Sequence, residues 1–295
     1  MALQTAFQTT PAQDIVPHAN VRELDELDYR QALALLAEHP MRGVHLESLI
    51  NDHGLTSPAL RGRFHGYFDN GQLTGIALIG HQIIFCADDV AAPWFARIAA
   101  ESGPRGSVIL GPSEQVELFW QHYAAHGGAL RLQRDFYWYV CEAPAQPISR
   151  FQLVQATTEH LETVMDAQAS LLVEATGADP RQTDPEGFRR RTLERIERGR
   201  TWIRLENDTV VFKVELQSVT PDAIYLEGIW THPDFRRRGI ARDSVVELTH
   251  RRLRRQQVLC LAVEPEETVA MKIYQHAGFR HETNYQARYP QPPNA

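Results

Sequence analysis

The sequence is poor in cysteine, and the positions of the few cysteines exclude common kinds of site. Its three cysteines, Cys86, Cys141 and Cys260, lie far apart in apolar runs, without the C-x-x-C spacing of zinc and redox sites. We therefore expect them to be reduced residues of the protein core. The 13 histidines are scattered along the chain, so the sequence gives no support to metal catalysis and we expect no metal.

Long apolar runs are also missing. Apolar runs such as those at residues 76–79 and 83–87 fall far short of the roughly 20 residues that a transmembrane helix needs. The N-terminus lacks the basic segment followed by an apolar one that marks a secretory signal. We therefore predict no membrane association and a cytoplasmic location.

Net positive charge is a third absence. The 30 basic and 37 acidic side chains leave a formal net charge of −7, whereas a general nucleic-acid-binding protein needs a positive surface for phosphate contacts. We therefore expect no nucleic-acid partner. The chain is 43% apolar and 23% charged, close to globular averages, which excludes a disordered, collagen-like or coiled-coil protein.

Apolar periodicity predicts a first set of helices and strands that ends near residue 141. A helical pattern at 22–38 stops before Pro40, and strands at 63–68 and 73–80 flank an Asp-Asn-Gly turn typical of hairpins. The set continues with a strand at 81–87, a helix at 91–101, a strand at 107–110, a helix at 116–125 and one long strand or a strand pair at 130–141.

The same order of elements begins again after a proline-containing linker. A strand at 151–155 and helices at 158–175 and 188–198 precede two strands, at 201–206 and 210–217, around an Asn-Asp turn. The second set ends with a strand at 224–231, a helix at 241–254, a strand at 258–263, a helix at 268–276 and a strand at 280–289.

The repeated order predicts an α+β fold of two tandem domains, each a mostly antiparallel mixed sheet flanked by helices. A length of 295 residues also favours two domains. The predicted boundaries are a frayed N-terminus at 1–20, a first domain at 21–145, a linker at 146–150, a second domain at 151–289 and a tail at 290–295.

Residues 226–241 have the pattern of an anion-binding site. A strand, a turn, a glycine-containing loop and the start of a helix follow one another there. Backbone N–H groups at a helix N-terminus lack intrahelical partners and lie at the positive end of the helix dipole, so they can bind a pyrophosphate. Gly239 allows close approach, and Ala241 is small. Alternatively, the arginines at 236–238 are a solvated turn, or part of a basic patch for an acidic partner.

The order Arg236-x-x-Gly239-x-Ala241 resembles the Q/R-x-x-G-x-G/A signature of the GNAT acetyltransferases, in which this loop binds the pyrophosphate of acetyl-coenzyme A. Residues 270–279, Ala-Met-Lys-Ile-Tyr-Gln-His-Ala-Gly-Phe, resemble the A-x-x-L-Y-x-x-x-G-F of that family. The whole chain is similar to bacterial tandem GNAT proteins with a degenerate first half. The resemblance implies acetyl-CoA as cosubstrate, with cofactor contacts at Ile229, Trp230, Thr231, Arg236, Arg237, Arg238, Gly239, Ile240, Ala241, Glu267 and Ala270.

The chain departs from the family's pattern at two places. Glu267 stands where the family often has asparagine, and a carboxylate cannot donate a hydrogen bond as an amide does. The first half has no R-x-x-G-x-G/A loop between residues 81 and 107, and Asp88 and Asp89 lie where a pyrophosphate would bind and would repel it. We therefore expect only the second half to bind coenzyme A.

Two residues are candidate catalytic groups. Tyr274 occupies the family's general-acid position, from which a phenol protonates the departing thiolate. The alternative is an ordinary half-buried aromatic residue. Glu227, in an apolar strand before the loop, is a candidate general base for the acceptor ammonium, acting directly or through water; alternatively, it is a buried partner of an arginine such as Arg204. Glu174 and Glu215 are further candidates to face a cation, although the sequence favours a surface carboxylate for both.

The resemblance implies an N-acetyltransferase that moves the acetyl group directly from acetyl-CoA to an amine, without a covalent enzyme intermediate. The sequence leaves the acceptor open between a small-molecule amine and a protein lysine, and it predicts no oligomeric state. One alternative is a non-catalytic acetyl-CoA-binding sensor or scaffold. Another is an interaction module that uses the arginine-rich helix at 242–255. The first half is expected to be structural and to shape the acceptor pocket from the side.

Overall fold

The computed structural model describes residues 20–102, 108–148, 150–253 and 257–291. The predicted frayed ends therefore lie almost entirely outside the described residues. The first half contains β1 (Val21–Glu23), α1 (Tyr29–Ala37), α2 (Pro40–His53), β2 (Gly62–Asp69), β3 (Gln72–Gly80), β4 (Gln82–Cys86), α3 (Ala92–Glu101), β5 (Val108–Pro112), α4 (Ser113–Ala125) and β6 (Leu130–Cys141).

The second half follows a short connection after β6. It contains β7 (Leu153–Gln155), α5 (Leu161–Thr176), α6 (Pro180–Thr183), α7 (Pro185–Glu197), β8 (Thr201–Glu206), β9 (Thr209–Val219), β10 (Ala223–Thr231), α8 (Ile240–Arg252), β11 (Val258–Val263), α9 (Thr268–Ala277) and β12 (Arg280–Pro290).

All of these strands form one sheet in the order β1-β2-β3-β4-β5-β12-β6-β11-β10-β9-β8-β7. Among the described strand pairs, only β4–β5 and β10–β11 are parallel. Helices flank the sheet in both halves. The predicted α+β class, with two halves of similar element order, is confirmed.

The two halves exchange their last strands. β12 of the second half pairs with β5 of the first, β6 of the first half pairs with β11 of the second, and β6 and β12 pair with each other. The backbone hydrogen bonds of the sheet therefore run without interruption from one half to the other. The residue boundaries of the two domains stay a prediction, but β6 precedes the linker in sequence and lies among strands of the second half.

The N-terminal region differs from the sequence expectation. Residues 22–38 are not a single helix, because β1 pairs with β2 and α1 begins only after a reciprocal cap. In that cap, Asp25 Oδ1 accepts from the N–H of Leu27, and Asp28 Oδ2 accepts from the N–H of Asp25. This cap opens a 3-10 turn at Glu26–Asp28, which leads directly into α1.

Helix α2 is not predicted from the sequence, because the helical pattern stops before Pro40. Pro40 is the first residue of α2, a position that tolerates proline because the N–H there has no intrahelical partner. The pattern of α2 is not amphipathic, because the helix is covered by both halves. Its buried residues are Gly43, Val44, Leu46, Glu47, Ser48 and Ile50.

Helix α2 joins the two halves of the molecule. It packs against β4 of the first half and against β9 and β10 of the second. His45 Nδ1 lies 3.0 Å from the Ser218 hydroxyl, and the Ser48 hydroxyl accepts from the N–H of Val219 at 3.1 Å. Burial lowers the pKa of His45 to about 4, so the imidazole is neutral at pH 7.

Candidate active site

The strands β10 and β11 separate part of the way along their length. Their parallel pairing ends at Leu226 and Leu261. Beyond that point β10 stays paired with β9 through a bulge, in which Gly228 adopts a φ of +60°. A bulge of this kind bends its strand away from the neighbour on the other side. A cleft therefore opens between β10 and β11, at the carboxyl ends of two parallel strands.

A cavity of about 470 Å³ occupies this cleft. The strand side of its wall comes from Glu227, Gly228 and Ile229 of β10 and from Leu261 and Ala262 of β11. Helices α5, α7 and α9 close it, and α9 contributes Tyr274. The two predicted catalytic residues, Tyr274 and Glu227, thus line the same cavity.

A buried ion pair on the neighbouring strand β9 stabilises the bulge. Lys213 is fully buried, and its Nζ donates to Glu215 Oε1 at 3.0 Å and to the carbonyl oxygen of Gly228 at 3.2 Å. The Thr201 hydroxyl donates to the other carboxylate oxygen of Glu215 at 2.7 Å. Glu215 is therefore an internal residue, and its interpretation as a surface carboxylate was wrong. The pair fixes the bend that opens the cleft.

Glu227 faces the cavity without a partner of its own. Its side chain is exposed to the cavity, and no described residue forms a hydrogen bond or ion pair with its carboxylate. The suggested partner, Arg204, instead pairs with Glu206 at 3.0 Å. Burial raises the pKa of Glu227, although the positive charges of Arg195 and Lys213 partly oppose the rise.

Tyr274 presents its hydroxyl to the same cavity. The ring packs beside Phe279, with centroids 6.0 Å apart, and the residue is 9% exposed. No described residue forms a hydrogen bond with the hydroxyl. Burial and the charge of Glu267 both raise the pKa of Tyr274, so the phenol stays protonated at neutral pH.

The loop before α8 leaves backbone donors without acceptors. Gly239, at the N-cap of α8, has a φ of +78°, and Arg237 has a φ of +62°. Within the described residues, the N–H groups of residues 237–242 meet no hydrogen-bond acceptor, and no side chain caps the helix. The first bond of the helix runs from the Asp243 N–H to the Gly239 carbonyl. These N–H groups, at the positive end of the dipole of α8, can bind an anion.

Two of the loop arginines hold the loop in place. Arg236 Nη2 donates to both carboxylate oxygens of Glu174, at 2.8 and 2.7 Å, and its Nε donates to the Thr231 carbonyl. Glu174 is therefore the partner of Arg236 in this structure. Arg238 Nη2 donates to the Asp234 carbonyl at 2.9 Å, and its guanidinium lies over the ring of Phe235. The loop is thus tied to α5 and to its own turn.

The other predicted cofactor residues differ in their burial and in their packing. Trp230 is buried, and its side chain packs in a hydrophobic cluster with residues of α5. Ile240 is buried at the start of α8, and Ala270 packs against the core from the first turn of α9. Glu267 is the N-cap residue of α9 and makes no capping hydrogen bond through its side chain.

The equivalent helix of the first half has its N-terminus closed. Asp88 Oδ1 accepts from the N–H groups of Val90 and Ala91, at 3.1 and 2.9 Å, just before α3. The carboxylate accepts from the two loop donors just before α3, and the N–H groups of Ala92 and Trp94 bond to the backbone carbonyls of Asp88 and Ala91, so donors that are free at α8 are occupied here. The repulsion of a pyrophosphate by Asp88 stays a prediction, and its hydrogen bonds to the loop N–H groups are a second reason to expect no anion there.

A second cavity, of about 440 Å³, lies between the two halves and was not predicted. Helix α2 lines one side, and α7, β9 and β10 line the other. The two cavities share part of their walls, and the shared residues are Arg191, Arg195, Gln217, Tyr225 and Glu227. The arginines four positions apart on a predicted helix were the sequence signal that could have indicated this wall.

Comparisons with known proteins agree with this geometry. The model of the Acetyltransferase (GNAT) family matches residues 165–279, which run from α5 to the start of β12. A domain of unknown function, DUF4081, matches residues 62–139 in the first half. Residues 165–279 are therefore a domain of the GNAT family. No curated protein matches the sequence.

Solved structures of acetyltransferases are similar in fold to this chain over most of its length. A GCN5-related N-acetyltransferase from Sphaerobacter thermophilus is 16% identical with a TM-score of 0.60, covering 93% of this chain and 96% of that one. A GNAT-family acetyltransferase from Colwellia psychrerythraea is 13% identical with a TM-score of 0.53, covering 92% and 98%. A tandem GNAT protein from the clavulanic acid biosynthesis pathway is 11% identical with a TM-score of 0.56, covering 93% and 99%.

Family and fold together define a general chemistry. At these identities the structural likeness shows the fold, and the family model adds acyl-CoA-dependent acetyl transfer in general. Within the described residues, no helix is long and apolar enough to cross a membrane. The described residues also contain no group of three or more His, Cys, Asp or Glu side chains that could hold a metal ion.

Proposed function

We propose that this protein is an acetyl-CoA-dependent N-acetyltransferase with one coenzyme A site, in its second half. The observation that carries the proposal is the contrast between two helix N-termini. The N–H groups of residues 237–242 lack acceptors and lie beside a cleft, whereas Asp88 closes the matching end of α3. Backbone N–H groups of this kind fit the pyrophosphate of coenzyme A, and the cleft between β10 and β11 fits its acyl arm.

The chain's own residues supply the steps of a direct transfer. Glu227 removes a proton from the acceptor ammonium, directly or through water, and the neutral amine attacks the thioester carbonyl carbon. The N–H of Thr231 points away from β9, because the next residue donates to β9, and it stabilises the developing negative charge on the carbonyl oxygen. The C–S bond breaks, and the Tyr274 hydroxyl donates its proton to the thiolate. The attacking nitrogen loses its second proton through water to the Tyr274 oxygen, and Glu227 releases the first to solvent. The products are an amide and free coenzyme A.

In this proposal, the first half forms one wall of the acceptor site, opposite the residues of the second half. Helix α2 lines the second cavity, which joins the first at Glu227. An acceptor that reaches Glu227 through this route touches both halves. We therefore propose that the first half shapes the acceptor site and binds no cofactor. A cytoplasmic location and the absence of a nucleic-acid partner stay predictions.

The test is turnover with a panel of amines, including amino acids, amino sugars, polyamines and a lysine peptide. An acetyltransferase should release free coenzyme A thiol and add one acetyl group to one of the amines, as seen by mass spectrometry. The matched control is the Gly239→Asp variant, which places a carboxylate at the anion site and whose folding is checked by its melting temperature. The sensor alternative predicts binding of acetyl-CoA with no release of thiol by any member of the panel.

A further inference from the structure

Helix α7 contributes residues to the walls of both cavities. Phe188, Arg191, Thr192 and Arg195 face the cleft cavity, and Arg191, Glu194, Arg195 and Arg198 face the cavity between the halves. Each set follows the spacing of one helical face, and the two faces overlap at Arg191 and Arg195. Glu227 lies on the strand side of the same junction. A molecule that extends from one cavity to the other must therefore pass between these arginines and Glu227.

Most of the arginines around this junction are already neutralised. Asp52 of α2 pairs with Arg198 at 2.9 Å and with Arg200 at 2.7 Å. Arg198 also pairs with Glu194, and Asp184 pairs with Arg191 at 2.9 Å. These pairs leave no net charge to attract a ligand at the outer parts of the cavity between the halves.

Arg195 differs from its neighbours. Across the described ranges, no carboxylate forms an ion pair with it, and Glu227, the nearest unpaired acid on the shared wall, makes no ion pair either. The junction thus holds one unpaired cation and one unpaired carboxylate, both facing the same space. A partly buried guanidinium without a counter-ion is a strong site for a carboxylate or phosphate oxygen, because it presents several donors in a fixed plane.

We propose that the acetyl acceptor is a small molecule with both an amine and an anionic group, and that Arg195 binds the anion while the amine faces Glu227. The inference rests on the proposed function and names its substrate class. The anion is a carboxylate or a phosphate, since both accept hydrogen bonds from a guanidinium in the same geometry. Arg191, one turn earlier on the same edge, is already paired with Asp184, so Arg195 is the cation left to bind the anion.

The test compares amines that differ only in the anionic group. The pairs are β-alanine with β-alaninamide, L-lysine with L-lysinamide, and glucosamine 6-phosphate with glucosamine. Calorimetry measures their affinity for the full-length protein loaded with coenzyme A, and turnover with acetyl-CoA is followed in parallel. A charge-assisted contact to Arg195 should make the anionic member of at least one pair bind about 10- to 100-fold more tightly. Preference within the first two pairs identifies a carboxylate, and preference within the third alone identifies a phosphate.

Variants on α7 make the test specific. Arg195→Gln should abolish the preference for the anionic member, and Arg195→Lys, which keeps the charge, should retain part of it. The control is Arg189→Gln, because Arg189 lies on the same helix outside both cavities, paired with Glu162. This variant should keep the full preference. All three should melt close to the wild-type temperature.

The outcomes separate this inference from the proposed function. Equal binding of the two members of every pair, no binding of any member, or a preference that survives Arg195→Gln would overturn the anion site. Tight, Arg195-dependent binding without any release of thiol from acetyl-CoA would uphold the anion site and overturn acetyl transfer.

Discussion

Tyr274 lies at the opening between β10 and β11 with a hydroxyl that no described residue binds. Tyr274→Phe removes only this hydroxyl and keeps the ring beside Phe279. We expect kcat to fall by about 10²- to 10⁴-fold because proton donation to the thiolate is lost. The affinity for acetyl-CoA, measured by calorimetry, should stay near that of the wild type. Weaker binding with an unchanged kcat would make Tyr274 a packing residue instead.

Glu227 should set the acidic limb of the pH profile. A general base works only when deprotonated, and burial raises the pKa of Glu227 above the ordinary carboxyl value of 4.5. Activity should therefore be present at high pH and be lost, as the pH falls, at a higher pH than an exposed carboxylate would give. In kcat profiles, Glu227→Gln should lower the plateau and remove this limb. An unchanged limb in the variant would assign the base to another group.

The two catalytic candidates could be predicted from the sequence because each is tied to a local pattern. Tyr274 lies in the 270–279 segment and Glu227 stands just before the anion loop, so their neighbours along the chain already indicate a role. Arg195 could not be predicted in this way. Its significance depends on which other arginines are neutralised, and Asp52, which pairs with two of them, comes from a helix of the other half.

Helices α8 and α3 occupy equivalent positions in the two halves, so the effect of an added carboxylate can be compared at their N-termini. Gly239→Asp at the start of α8 should abolish binding of acetyl-CoA, because a carboxylate would enter the anion site and the residue would have to adopt a φ of +78°. The matched control is Val90→Asp, an exposed residue just before α3. Calorimetry should find wild-type affinity for this variant. Reduced binding in both variants would point to a general effect of negative charge.

The prediction of helices and strands from the sequence is wrong where tertiary contacts override the local pattern. Strands at 201–206 and 258–263 have the same bounds in the structure, since each has a clear apolar run between turn residues. Helix α2 was missed because it is buried on several sides and begins with proline. The bulge at Gly228 was also not predicted, because the Lys213 and Glu215 pair that fixes it involves a different strand.

At the scale of the whole molecule, the exchange of β6 and β12 links the folding of the two halves. A fragment of residues 147–291 lacks β6, so both β11 and β12 lose the strand between them and expose unpaired edges. Such edges promote aggregation. We expect this fragment to elute as aggregates in size-exclusion chromatography, and a fragment of residues 128–291, which keeps β6, to be more soluble. A soluble, fully active 147–291 fragment would contradict this interpretation.

The exchange of β6 and β12 could not be predicted from the sequence. The two sets of elements follow one another in the chain, and either pairing of the last strands gives the same apolar pattern. Element order was therefore sufficient to predict two similar halves. The shared sheet and the cavity between the halves required the three-dimensional structure.

A calorimetric titration of the full-length protein with acetyl-CoA tests the central claim most directly. The acceptor-free N–H groups occur at α8, and Asp88 closes the equivalent site at α3. We therefore expect a stoichiometry of one acetyl-CoA per chain and no binding in Gly239→Asp. A stoichiometry of two, or binding that persists in Gly239→Asp, would contradict it.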